Sequence, residues 1–434
     1  MSTTATREAV AAVWRIESAR LIAGLARVTG DLGLAEELAQ DALVTALEQW
    51  PSSGIPANPA GWLMTTAKRL AIDAHRRRIV YQRKLETIGR AQPGHDLADE
   101  IDRAIDDALD DHIGDDLLRL IFTAAHPALS TESRVALTLR CLCGLSTQEI
   151  GRAYLVSTAT AAARIVRAKR TLAAQSVGFE LPDPAAMADR LASVLEVIYL
   201  IFNEGYSASS GDDWMRPALC EEALRLGRVL AGLVPDEPEV HGLVALMEIQ
   251  ASRTAARTGP DGEPVLLADQ DRRMWDRLLI RRGLAALQRA ESLSKPIGPY
   301  TLQAAIAACH ARATRAQDTD WARIASLYVV LAHVWPSPVV ELNRAVAVGM
   351  ADGPAAGLAV LDAAVNRGEL DDYPLAHAVR GDLLARSGNH GEAAQHFHRA
   401  AELTRNAGER KVFTRRAAEL AAPEVSAGCR PPGS

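Results

Sequence analysis

Apolar residues in the first part of the chain recur every three or four positions, the spacing of one buried helix face. Val13, Ile16, Leu21, Ile22 and Leu25 predict a first helix. Asp31, just after Gly30, is placed to cap a second, which runs as LAEELAQDALVTALEQW and stops at Pro51. Leu34, Leu38, Ala42 and Leu47 are its expected buried stripe, and Glu36, Glu37, Gln40 and Asp41 form an acidic face. After the loop PSSGIPANP, Asn58-Pro59 opens a third helix, GWLMTTAKRLAIDAHRRR. Leu63, Ala67, Leu70, Ala71 and Ala74 point inward there, and Lys68, Arg69, Arg76, Arg77 and Arg78 make a cationic surface. Trp62 stands at its start, either as a core anchor or as a platform for a base.

Further on, STQEIGRAYLVSTATAAARIVRAKR reads as a short helix, a tight break and a second helix. Ile150 and Ala153 face inward on the first, and Ser157 is a good N-cap for the second. Arg164, Arg167, Lys169 and Arg170 crowd that second helix. A basic helix of this kind fits the DNA major groove, with its start near base edges and its cations near phosphates. A basic hairpin on a globular surface is the plainer reading.

The remaining chain is again helical in pattern. RLASVLEVIYLIFNEGYSASSGDDWMRPALCEEALRLGRVLAGL reads as two helices around a polar loop, and DGEPVLLADQDRRMWD and KPIGPYTLQAAIAACHARA are further polar stretches. Leu342, Ala345, Gly349, Gly357, Leu361 and Ala364 recur 36 residues later as Ala378, Gly381, Ala385, Ala393, Phe397 and Ala400. That period is close to the roughly 34 residues of a tetratricopeptide (TPR) repeat. Two helical hairpins, 338–370 and 374–408, are expected to stack as a short solenoid with a concave face suited to a peptide or helix.

Composition agrees with an all-α chain: 48% hydrophobic residues, only 4% aromatics, and few strand-like runs of Val, Ile and Thr. Its 434 residues are enough for two to four domains. The net charge of −6 gives no global sign of nucleic-acid binding, but charge is segregated. Lys68–Lys84 holds seven Lys or Arg against one Asp, whereas Asp96–Asp116 holds ten acids against one Arg. The cysteines 141, 143, 220, 309 and 429 are odd in number and match no common zinc spacing, which predicts buried reduced thiols. The N-terminus has no apolar signal core, and the most apolar run, Leu191–Phe202, is interrupted by Glu196 and too short for a bilayer. A cytoplasmic protein with no membrane partner is expected. No Ser/His/Asp grouping, phosphate loop or metal-spaced cluster stands out, so no enzyme activity, cofactor or metal is expected.

The two basic modules together resemble an extracytoplasmic-function (ECF) sigma factor of bacterial RNA polymerase. AEELAQDALVTALEQW resembles the region 2 helix that docks on the β′ clamp helices, NPAGWLMTTAKRLAIDAHRRR the segment that holds and opens the minus-ten element, and LSTESRVALTLRCLCGLSTQEIGRAYLVSTATAAARIVRAKRTL region 4, which reads the minus-thirty-five element. The resemblance covers roughly residues 8 to 175, and the wording of the later stretches extends it to the subgroup with a long TPR-containing extension. Two positions depart: Arg69 stands where many members carry an Asn that accommodates a flipped base, and Leu155 occupies a turn position often held by Gly.

The resemblance implies sigma region 2 at 8–84, an acidic linker at 85–115, region 4 at 116–176, a helical TPR-like extension at 185–420 and a disordered tail at 421–434. It implies core RNA polymerase (β′ clamp helices and β subunit) and promoter DNA as partners, with a protein or peptide partner for the extension. Asp31, Glu36, Glu37, Gln40 and Asp41 would meet polymerase; Trp62, Lys68, Arg69, Arg76, Arg77, Arg78, Ser157, Thr158, Thr160, Arg164, Arg167 and Lys169 would meet DNA. The extension would control or support activity. In it Asn203, Glu204, Tyr206, Asp212, Asp269, Asp271, Trp275, Tyr300, Gln303 and His310 either line one pocket or serve as helix caps and inter-helix hydrogen bonds. A one-component helix-turn-helix regulator with a TPR-like sensor is the alternative, and a minus-ten module has no use in it.

Overall fold

The computed structural model describes residues 3–86, 113–154, 156–207, 215–260, 264–365, 370, 372–404 and 406–421, with backbone only for 3–8 and 74–86. Leu155, Asp212, most of the acidic stretch 96–116 and all but one residue of the tail 421–434 lie outside it. Every long element described is an α-helix, as the sequence predicts. The chain divides into two units, Met1–Ile201 and Phe202–Ser434.

The first unit opens with α1 (Thr3–Thr29), α2 (Leu32–Ser53) and α3 (Pro59–Glu86), and α1 packs on both others. Gly30 ends α1 at φ +67°, a conformation that costs glycine little. Asp31 then caps α2, its Oδ1 accepting from the N–H groups of Gly33 at 2.7 Å and Leu34 at 3.2 Å. Asn58 likewise accepts from the Gly61 N–H at 3.0 Å at the start of α3. Leu21, Ile22, Leu25, Leu38, Trp50 and Leu63 form the core, none more than 4% exposed.

Two positions expected in this core are outside it: Ile16 is 69% exposed and Leu47 38%. The buried stripe of α2 runs instead through Leu32, Ala35, Leu38, Ala39, Ala42, Ala46 and Trp50. Alanines occupy its buried centre, where small side chains let a neighbouring helix come close. That register turns Leu47 outward, and it turns Glu36 inward.

The second half of the unit comprises α4 (Ile113–Ala124), α5 (Thr131–Cys141), α6 (Thr147–Ala153) and α7 (Thr158–Ala174). Ser146 and Glu149 form a reciprocal capping box at α6. Ser157 caps α7 as expected, its Oγ accepting from the Thr160 N–H at 3.0 Å. A first stretch of α8 (Met187–Tyr206) is tied to this group. The buried Arg134 donates to Ser193 Oγ at 2.6 Å and pairs with Glu196 at 2.9 Å. Ser193 in turn donates to the Ala125 carbonyl at 2.6 Å, and Arg190 to the Phe122 carbonyl at 2.9 Å.

The second unit continues through α9 (Pro217–Leu233), α10 (Pro238–Ala251), α11 (Arg277–Ser292), α12 (Pro299–Arg312), α13 (Trp321–Val334), α14 (Pro338–Ala351), α15 (Pro354–Val365), α16 (Pro374–Arg386), α17 (His390–Leu403) and α18 (Ala407–Ala421). Consecutive helices pack as neighbours throughout. Proline opens many of them, where its fixed φ suits a first turn and its missing N–H costs nothing. Glu239 of α10 caps α12, accepting from the N–H groups of Gly298, Tyr300 and Thr301 at 2.8–3.1 Å. The 36-residue repeat falls on the hairpins α14–α15 and α16–α17. A Cβ on Gly357 would lie 2.8 Å from Gly349 Cα, and one on Gly381 3.0 Å from the Phe397 ring, so the small residues are required by closeness.

His310 is buried on α12, with its ring edge-on to Trp321 at 5.1 Å. Burial, helped by Arg253 and Arg272, pushes its pKa from 6.5 down to about 4.

Two expected outcomes follow. A chain ending at residue 180 loses Arg190, Ser193 and Glu196 and strands Arg134 in the first unit. We expect it to be less stable than one ending at 207 by about 1–3 kcal/mol per buried group left unsatisfied, read as a lower urea midpoint. His310 is bound neutral, so its contribution is complete above pH 6.5 and lost as pH falls toward 4. That loss is of order 3 kcal/mol, and it should disappear from the pH dependence of unfolding in His310→Gln.

Candidate nucleic-acid and partner interfaces

On α7 the face toward the protein is Ala161, Ile165, Ala168 and Leu172. The opposite face begins with Ser157, Thr158 and Thr160, all exposed, and continues through half-buried Arg164 and exposed Arg167 and Arg170. The exposed helix start offers hydroxyls and the cations follow along one side, the order that base and phosphate contacts need. Lys169 is different. It turns back toward α2 and donates to Glu36.

On α3, Arg69 is exposed and Lys68 half-buried. Trp62 is half-buried and packs edge-on to Trp50, with ring centroids 5.4 Å apart at 70°. The anchor reading describes it in this state. Arg76, Arg77 and Arg78 lie in the later turns of α3, with backbone only described.

The acidic face of α2 splits. Glu37 and Asp41 are exposed and Gln40 is half-buried, while Asp31 is committed to its cap. Glu36 is buried, its side chain only 8% exposed. Arg140 of α5 donates to its Oε1 at 2.8 Å, and Lys169 of α7 donates to its Oε2. Burial alone would raise the carboxyl; the two cations outweigh it and hold it below the ordinary 4.5. The structure therefore joins one residue of the expected polymerase set to one of the expected DNA set. A cavity of about 400 Å³ lies beside this pair, lined by Thr29–Gly33, Thr123, Lys169, Leu172, Ala173 and Ser176–Phe179.

In the second unit the polar motif residues are distributed. Glu204 pairs with Arg216. Asp271 is gripped by Arg273, whose hydrogen bonds hold it at about 2. Asp269 is exposed, and Asn203 is half-buried on the last turn of α8. Tyr300 packs near Trp335 at 6.4 Å, and Gln303 donates to the Pro299 carbonyl at 3.2 Å. Tyr206 and Trp275 do meet a common set of side chains, which the sequence reading missed. Arg257 lies 3.4 Å over the Tyr206 ring, Arg253 sits near both rings at 5.7 and 5.8 Å, and Arg272 lies 4.9 Å from the Trp275 ring. This is an alternating ladder of guanidinium and aromatic groups. Arg272 stands inside the quoted stretch DGEPVLLADQDRRMWD, but nothing in a linear motif pairs it with Tyr206.

A separate apolar groove of about 280 Å³ runs between α14, α16 and α18, with Met350, Leu375, Phe397 and Phe413 in its lining. None of the expected extension residues lines it. Cys141 and Cys220 are buried thiols pushed up to about 12, the inert state expected of them. Among the described residues, no helix is long and apolar enough to cross a membrane.

Comparison with known proteins adds three family matches: Sigma-70 region 2 over residues 16–79, Sigma-70, region 4 over 119–172, and a family of unknown function (DUF6596) over 190–291. The first covers most of α1 to α3 and the second α4 to α7. A protein of Rhizobium meliloti (strain 1021) described as "Uncharacterized protein R00370" is 45% identical over 402 residues, covering 92% of each chain. The chain thus belongs to the family of this Rhizobium meliloti protein, and with its Sigma-70 region 2 and region 4 domains it has the make-up of a sigma-factor-like promoter-recognition protein, of a non-enzymatic transcription factor family.

Proposed function

We propose that this protein is an ECF-type sigma factor that binds core RNA polymerase and directs promoter-specific initiation. The observation that carries the reading is the ordered pair of Sigma-70 region 2 and region 4 domains, with an acidic helix on one and a capped basic helix on the other. In this reading Glu37, Gln40 and Asp41 of α2, with Asp31 and Glu36 beside them, meet the β′ clamp helices and the β subunit. The cationic side of α3, Lys68, Arg69 and Arg76–Arg78, holds the minus-ten element, with Trp62 at its start. Ser157, Thr158, Thr160 and Arg164 meet minus-thirty-five base edges, and Arg167 and Lys169 meet phosphates.

The work of such a protein is binding. Cations give salt-dependent attachment to phosphates, and capture of an unstacked minus-ten base offsets part of the unpairing cost. Bond formation belongs to the polymerase. The extension is of the TPR kind, takes a protein or peptide partner, and supports activity. The 36-residue repeat with its glycine-mediated helix contacts supports that assignment.

The deciding experiment is run-off transcription with purified chain and core polymerase on genomic promoter fragments. Promoter-specific transcripts are expected; no transcript at any promoter sinks the reading, and duplex binding without polymerase would turn it toward a one-component regulator. Arg167→Ala should weaken promoter binding about equally across sequences and lower the salt slope by about 1, measured by anisotropy titration over a salt series. A chain ending at 207 should lose reporter activity, because it lacks the extension yet keeps the Arg134 contacts.

A further inference from the structure

Glu36 and Lys169 are each assigned an external partner by the reading above, on which this inference rests, yet in the structure they satisfy each other. The contact is not isolated. Arg140 shares the same carboxylate. Along the same seam Arg27 of α1 pairs at 3.2 Å with Asp116 of α4, whose side chain is 6% exposed. The turn after α5 is pressed on α1: Gly144, at φ +67°, leaves no room for a Cβ, which would lie 2.6 Å from Ser18 Oγ. Arg15 and Glu149 meet at 3.4 Å at the exposed edge, where an ion pair contributes little.

These contacts hold the region 2 and region 4 domains face to face through buried charge. Lys169 cannot contact a DNA phosphate while its ammonium is on Glu36. The part of α2 around Glu36 is covered by α5 and α7 and is closed to a docking protein. Separation leaves a carboxylate and two cations without partners unless new ones replace them, and polymerase and promoter phosphates are the partners able to do so. We propose that the Glu36–Arg140–Lys169 contact is an autoinhibitory latch, closed in the free chain and opened when core polymerase takes the α2 face and DNA takes the cations. Arg140 is then a regulatory residue with no direct contact to either ligand. Because the carboxyl is held below its ordinary value, the latch stays charged and closed at neutral pH and answers to partners instead of to protons.

The geometry offers a direct test. A Cβ built on Gly33 lies 4.0 Å from Lys169 Cβ, inside the roughly 3.5–4.5 Å range of a disulfide. In the full chain, with Cys429→Ser to remove the one cysteine outside the described residues, Gly33→Cys with Lys169→Cys should cross-link within the monomer under mild oxidation. The oxidised protein should fail to bind core polymerase in gel filtration, and reduction of the same sample should restore binding. Arg140→Gln, outside both binding sets, should tighten apparent core affinity on the order of tenfold by raising the open fraction. Absence of the cross-link in the free chain overturns the closed state. Equal core binding by oxidised and reduced protein overturns the latch while leaving the sigma-factor reading intact. A cross-linked protein that binds core in neither redox state brings down the sigma-factor reading and this inference together.

Discussion

A carboxylate withdrawn from water is held only if its charge is met, and Glu36 is met twice, by Arg140 and Lys169 from two other helices. Much of the first unit follows from this. The stripe of alanines on α2 brings Glu36 inward, and the two cations must then come to it. The basic helix α7 is divided as a result: Lys169 is spent internally, while Arg167, Arg170 and the hydroxyls at its start stay outside. Removing one partner from such a group costs far more than the pair contributes, because the remaining charges stay buried.

Buried carboxylates organise the second unit as well. Glu239 reaches from α10 to three N–H groups at the head of α12. Glu248, 1% exposed, takes Arg228 of α9 at 2.8 Å and Arg282 of α11 at 3.5 Å. Further along, closeness takes over from charge. Gly349 and Gly357 let α14 and α15 approach until backbone meets backbone, and Gly381 does the same against Phe397. The first helices of this unit are therefore positioned by ion pairs and caps, and the later ones by small residues in register.

The local signals in the sequence were legible because their physics is local. Asp31, Asn58 and Ser157 accept from N–H groups two or three residues on, and such caps can be read from a few letters. The 36-residue recurrence was legible because small residues at a fixed period have few other uses. Ile16 and Leu47 misled because size was taken as the mark of burial, whereas Ala35, Ala39, Ala42 and Ala46 hold the contact. Glu36 was indistinguishable from Glu37 by sequence, since one step along a helix turns a side chain by about 100° and only the neighbour decides which step is inward. The ladder of Tyr206, Arg253, Arg257, Trp275 and Arg272 was invisible for the same reason: its members come from separate elements.

By itself the sequence determined that the chain is helical, where most helices begin, and that an acidic and a basic module precede a repeat of small residues. Those properties depend on hydrogen bonds and periodicities within one or two turns. Tertiary structure alone decided which acid faces inward, which cation of α7 is withdrawn from solvent, and that α8 is tied to the region 4 domain through Arg134 and Ser193. Each of these is a pairing across 59 residues or more. A pairing of that kind has no spacing rule, because its geometry is set by how whole helices pack and not by the order of residues along one.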